Sequence, residues 1–175
     1  FAPAVFDLLH ECGADLGLRN AGYYALNALR LEKGYRAFGA ELTPDHSPVE
    51  AGLLFACKLG TDIPFLGREA VEAARAAGPR RRLVSLVLND SEPMLWGGEL
   101  VLRDGVAVGQ LTSAAFATSI GAGVALGYLW RPDGEPIDRE FVETGDYAVN
   151  VGGAVFRASV GLRAPYDPAG ERIRR

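Results

Sequence analysis

The stretch LVLRDGVAVGQL (residues 100–111) decides the fold of the second half of the chain. Two runs of branched apolar residues flank Asp104-Gly105, a dipeptide that tolerates the positive φ of a tight hairpin turn. The stretch therefore predicts strand, turn, strand. The signature recurs on both sides. LVSLVL (83–88) reads as a buried strand, 124–130 as another, and 147–160 as a hairpin bent at Gly152-Gly153. About six short strands at hairpin spacing predict a small antiparallel barrel or sandwich.

Upstream of Gly78-Pro79 the period changes from two to that of a helix. Residues 3–17 predict an amphipathic helix. Pro3 suits its first turn, Val5, Phe6, Leu8, Leu9 and Cys12 form a broad apolar face, and Gly13 and Gly17 end it. A second helix is expected over 22–32, with Asn20 as its N-cap. Residues 35–48 read as extended and turn-rich, a regular element restarts at Ser47 or Pro48, and a third helix is expected over 67–77. The expected boundary at Gly78-Pro79 gives one unit over 1–78 and a second over 79–175.

The 175 residues are 49% hydrophobic with a formal net charge of −4, which suits a chain that buries a core and gives no basic footprint for nucleic acid. Arg80-Arg81-Arg82 is expected to be a solvated face at the unit junction. No apolar run reaches the roughly 20 residues that span a membrane as a helix. Cys12 and Cys57, the only cysteines, sit among apolar neighbours and are expected to be buried free thiols. His10 and His46 have no metal-spaced partners, so no metal site is expected.

GYYALNALRLEKGYRAFGAELTPDHSPVEAGL (residues 22–53) carries the most specific signal. It combines a helical pattern, Leu29-Arg30-Leu31-Glu32-Lys33-Gly34 with Gly39, Glu41 and Leu42 after it, and Pro48-Val49-Glu50-Ala51-Gly52-Leu53. These segments resemble those of the aminomethyltransferase (T-protein) family of the glycine cleavage system. They are most similar to the T-protein-like C-terminal half of sarcosine and dimethylglycine dehydrogenases. Phe65-Leu66-Gly67-Arg68-Glu69-Ala70, Val108-Gly109-Gln110-Leu111-Thr112-Ser113, Ala125-Leu126-Gly127-Tyr128-Leu129 and the tail from Pro165 to Arg172 continue the resemblance in order.

The resemblance implies an α+β chain: a helical remnant of the folate-binding half over 1–78, followed by an antiparallel β-barrel over 79–175. It implies a C-terminal fragment of a tetrahydrofolate-dependent one-carbon transfer protein. Tetrahydrofolate would bind jointly with an N-terminal half that carries the family's catalytic aspartate, and FAD would sit elsewhere in the parent chain. The expected partners are the rest of that parent chain and folate, with no nucleic acid and no membrane. The expected compartment is the cytoplasm, or the mitochondrial matrix in a eukaryote. A non-catalytic interaction module and a folate-binding regulatory protein of the same superfamily stay open as alternatives.

Tyr24, Arg30 and Trp96 are the expected folate-site residues, and no catalytic residue is expected in this chain. A pterin is flat, and aromatic rings with a few fixed polar groups suit it. One of Tyr23 and Tyr24 is expected to face the core and the other the cleft. Trp96 is expected at the barrel mouth or in a hydrophobic lid. Arg30, held between two leucines, needs a carboxylate or carbonyl partner and would brace the pocket. Stand-alone T-proteins hold a folate-contacting arginine where this chain has Leu26, so that contact does not carry over. Glu32 and Arg36, four residues apart, are expected to pair.

Overall fold

The computed structural model describes residues 1–174. Three helices come first: α1 (Ala2–Gly13), α2 (Tyr23–Glu32) and α3 (Arg68–Ala77). Six strands follow: β1 (Arg81–Leu88), β2 (Leu100–Arg103), β3 (Val106–Ala117), β4 (Ala122–Trp130), β5 (Tyr147–Val151) and β6 (Ala154–Gly161). A short helix, α4 (Arg139–Thr144), interrupts the connection from β4 to β5. All strand pairs are antiparallel, and the order β1-β4-β3-β2-β5-β6 closes through β6 and β1. The fold is α+β and the strand unit is a barrel, so the sandwich alternative falls away. Closure leaves no sheet edge open to pairing with another chain.

β4 explains how the helical part meets the barrel. Its alternate side chains point to opposite faces. Ala125 and Leu129 enter the barrel core with Val84, Leu86 and Val101. Val124, Leu126 and Tyr128 point outward and pack with Leu31 of α2 and Leu83 of β1. Both faces of β4 are therefore covered, and seven of its nine residues are buried. Leu31 is fully buried, a contribution of about 1.5–3 kcal/mol.

Two bulges shape β3. The pairing with β2 shifts between Val101 and Leu102, and the pairing with β4 skips Thr112. A bulge leaves one residue outside the ladder and re-aims its side chain. Thr112 is such a residue.

Several local expectations are corrected. Asn20 does not cap α2. Gly22 holds the cap position without a side-chain bond, and the Asn20 amide oxygen lies 2.9 Å from His10 Nε2. Arg81 and Arg82 are not a solvated face. Arg81 pairs with Glu50 at 3.1 Å and donates to Asp45 O, while Arg82 Nη1 donates to Val49 O at 2.7 Å. The strand needs these arginines because the turn-rich segment lies along its start, where Leu83 N also donates to Glu50 O. Cys12 is exposed and Cys57 half-buried, because α1 buries none of its residues. Helix α4, absent from the pattern reading, is a single capped turn-and-a-half, with Phe141 N donating to Asp138 Oδ1 at 2.7 Å.

β3 and β4 approach closely at Gly127. A Cβ there would lie 2.6 Å from Gln110 O and 3.1 Å from Leu111 Cα. Backbone cannot yield as a side-chain tip does. Gly127→Ala is expected to destabilise the chain by about 1–3 kcal/mol, read as a lowered denaturation midpoint. An unchanged midpoint would contradict this packing.

Candidate functional site

Arg30 sits in the last turn of α2, and its guanidinium is tied on three sides. Nη1 meets Glu41 Oε2 at 2.7 Å and donates to Tyr35 O at 3.2 Å, and Nε donates to Asn27 Oδ1 at 2.9 Å. The Glu41 side chain is 0% exposed and that of Arg30 14%. Glu41 Oε2 also accepts from Ala37 N at 2.9 Å, and Glu41 Oε1 lies 2.8 Å from the Thr112 hydroxyl. The bulge at Thr112 aims that hydroxyl out of the β3 ladder, so one carboxylate links α2, the 37–41 turn and the barrel wall. Burial pushes the Glu41 carboxyl up. The Ala37 N–H, the Ser113 and Thr112 hydroxyls and Arg30 outweigh it and hold it below the ordinary glutamate range.

Tyr128 backs this linkage from β4. Its hydroxyl donates to Glu41 O at 2.9 Å, and its ring stacks on His46 with centroids 4.4 Å apart. Burial first, then the nearby Glu50 carboxylate, push the Tyr128 hydroxyl up to about 12. It is a neutral donor near pH 7, not an acid or a base.

The Trp96 loop reaches the same strand segment. Trp96 N and Gly97 N donate to the two oxygens of Glu99 at 2.7 and 2.9 Å. Gly98 N donates to Leu111 O, and Gln110 Nε2 donates to Gly98 O. Gly97 has φ 98° and lies against Thr112, where an added Cβ would be 3.2 Å from Thr112 O. A glycine is needed on both counts. The loop is thus fixed beside β3 while the Trp96 indole stays 78% exposed.

Of the three expected site residues, Arg30 is linked to Thr112 through Glu41, and the Trp96 loop lies against Thr112 through Gly97. Tyr24 does not join them. It is 89% exposed and precedes Arg30 by six residues, about 9 Å along the helix axis and roughly 120° around it. Tyr23 is exposed as well, so neither tyrosine faces the core. The expected Glu32–Arg36 pair does not form. Glu32 accepts from Ser119 N at 3.0 Å, and Arg36 donates to the Ala51 and Gly34 carbonyls. Lys33 instead holds the C-terminal segment, 2.7 Å from Asp167 O and 3.2 Å from its carboxylate. Tyr166 N donates to Glu32 O beside it.

Among the described residues, no three His, Cys, Asp or Glu side chains converge as metal ligands do. No described helix is long and apolar enough to cross a membrane. The Arg30–Glu41 pair is buried and hydrogen-bonded, and the exposed Trp96 ring stands on the neighbouring loop. The sequence reading missed Glu41, Thr112 and Tyr128 as site builders. A lone glutamate eleven residues after Arg30, in an otherwise apolar turn, was the available signal.

Two family models match the chain: the GCVT N-terminal domain over residues 1–61 and the glycine cleavage T-protein C-terminal barrel domain over 81–167. Human sarcosine dehydrogenase, mitochondrial, is 46% identical over 170 residues, 97% of this chain and 18% of that protein. Human dimethylglycine dehydrogenase, mitochondrial, is 39% identical over 126 residues, 72% of this chain and 14% of that protein. The crystal structure of glycine cleavage system aminomethyltransferase T from Bartonella henselae superposes with a TM-score of 0.78 at 25% identity, over 95% of this chain and 45% of that one. The chain belongs to the glycine cleavage T-protein family. It comprises part of the family's N-terminal domain and its C-terminal barrel, and it spans less than a fifth of the length of these dehydrogenases.

Glu41→Gln keeps the shape of the side chain and removes its charge. Loss of one partner of a buried pair is expected to cost about 3–5 kcal/mol at pH 7. The sign of the pH effect follows from the lowered pKa. The charged Glu41 stabilises above the unfolded glutamate value of about 4.3, and that stability disappears as pH falls through the folded value. Denaturation midpoints from pH 7 to pH 3 should therefore fall less steeply in Glu41→Gln than in the wild type. Parallel pH profiles would contradict the assignment.

Proposed function

We propose that this chain is the C-terminal part of a tetrahydrofolate-dependent one-carbon transfer unit within an FAD-dependent dehydrogenase of N-methylated glycines. One observation carries the reading. The barrel leaves a broad apolar and aromatic surface of α1 and α2 uncovered, with Phe6, Leu9, Tyr23, Tyr24, Leu26 and Leu29 all more than half exposed. Exposed large apolar side chains in this number mark a binding or interaction face. The rest of the parent's folate-binding domain is the proposed cover, and folate binds between that cover and this chain.

The residues present suit a pterin. Tyr24 and Trp96 offer free ring faces for stacking, and the hydrogen-bonded backbone of the Trp96 loop fixes where the indole is attached. Arg30 acts from behind, with Nε committed to Asn27 and Nη1 to Glu41 and Tyr35 O. Tetrahydrofolate when bound supplies the amines that take up the one-carbon unit, and FAD elsewhere in the parent supplies the oxidation of the amine. This chain contributes orientation and the exclusion of water, which limits loss of the one-carbon unit. The parent would act in the cytoplasm or, in a eukaryote, in the mitochondrial matrix.

Tetrahydrofolate titration of the full-length parent tests the site. Tyr24→Ala and Trp96→Ala each remove an exposed ring and should leave folding intact. Each is expected to weaken binding by about 1–3 kcal/mol, roughly 5- to 150-fold in the dissociation constant. Arg30→Ala should weaken binding and lower the denaturation midpoint together, because it unpairs Glu41. Wild-type affinity in all three variants would overturn the assignment. The 175-residue chain alone is expected to show neither amine oxidation nor aminomethyl transfer. Turnover by the purified chain would contradict the reading.

A further inference from the structure

A second concave site lies where α3, β1 and α4 meet, and it shares no residue with the Arg30–Glu41–Thr112 linkage. Arg75 near the end of α3, Arg82 on β1 and Arg139 at the start of α4 line a cavity of about 320 Å³. Its remaining wall is mostly apolar: Val49, Leu54, Pro79, Ile137 and Leu162. A fourth guanidinium stands behind the first row. A Cβ on Gly52 would lie 3.1 Å from Arg36 Nη2 and 3.4 Å from Arg82 Nη2, so these two cations crowd one point.

Like charges gathered this closely need anions, and the chain supplies few. Among the described residues, no carboxylate pairs with Arg36, Arg75 or Arg82. Arg36 and Arg82 are held by main-chain carbonyls instead. Arg139 meets Glu143 at 3.2 Å, with both side chains exposed. Asp138 is the one acid in the lining, and its carboxylate accepts from Phe141 N as a helix cap. Burial first, then the neighbouring Arg139, lower the affinity of Arg82 for its proton, and burial and then Arg82 do the same to Arg36, where Glu41 acts in the opposite sense. The guanidiniums repel one another across this cavity.

We propose that this cavity binds a small organic carboxylate with an apolar body. The guanidiniums recognise the carboxylate, for which their planar fork of donors is matched. The apolar wall takes the body, and the volume is far larger than a bare inorganic anion fills. Arg82, fixed by Val49 O, sets the position of the charge, and Arg75 and Arg139 close over it from the two helices.

The test uses the 175-residue chain with benzoate, acetate and inorganic phosphate as probes, followed by NMR at the Arg82 Nε–H and the Ile137 methyls. Benzoate is expected to saturate and to shift both signals. Acetate, with the charge and no body, and phosphate, with charge and no apolar surface, should each bind about tenfold more weakly or worse. Arg75 and Arg139 are exposed, so the Arg75→Gln/Arg139→Gln double variant should keep the wild-type denaturation midpoint while losing at least about tenfold in benzoate affinity. No saturation by benzoate overturns the proposal, as does equal binding of acetate or phosphate. Unchanged benzoate affinity in the double variant overturns it too.

Discussion

The buried carboxylate of Glu41 is the constraint on which the arrangement of helix and barrel depends. Desolvating a carboxylate is costly unless it is paired and hydrogen-bonded. Glu41 meets that demand only when three separate parts of the chain are in place: Arg30 at the end of α2, the Ala37 N–H of the turn, and the Thr112 hydroxyl of the β3 bulge. Removing any one leaves charge or an acceptor unmatched in an apolar setting. The pairing therefore selects one seat for α2 on the outer face of β3 and β4, where Leu31 supplies apolar burial that alone would tolerate sliding. A second fastening, Lys33 on Asp167 with Tyr166 N on Glu32 O, ties the end of α2 to the C-terminal segment.

This fastening has a consequence for the surface. One side of α2 is committed to the barrel, and its other side, with α1, presents large apolar side chains to solvent. α1 buries nothing at all, although its sequence is amphipathic and predicts a covered face. A helix with that pattern stabilises itself mainly through tertiary packing. The proposed folate site draws on this uncovered surface and on the Trp96 ring, which the loop beside β3 leaves exposed.

Most of the barrel was legible. Asp104-Gly105 and Gly152-Gly153 mark two hairpins by their turn chemistry, and short apolar runs flank them, near-continuous in β4 because both its faces are covered. Strand order was not legible from these signals, because β4 pairs with β1 across some forty residues and no local pattern records that choice. At the site, Arg30 stood out as an arginine between leucines that needs a partner, but the partner's identity depended on a turn and a bulge. Thr112 reads as an ordinary strand residue until the register slip turns it toward Glu41. The arginines at 81 and 82 misled for the opposite reason. A run of three cations normally signals solvent, and only the tertiary path of residues 45–50 along β1 gives them carbonyl and carboxylate partners. The two tyrosines of α2 were assigned one face each, yet the helix is seated by Leu31 and Arg30, which leaves both rings outside.

A double-mutant cycle on stability between Arg30 and Glu41 tests the central claim most directly. Arg30→Met and Glu41→Gln, singly and together, remove each charge while keeping comparable size. If Glu41 is the fastening that seats α2, the two losses overlap, and the double variant is more stable than their sum by about 2–3 kcal/mol in the coupling term. Additivity within about 0.5 kcal/mol would mean that the two charges act independently and that apolar packing alone positions the helix.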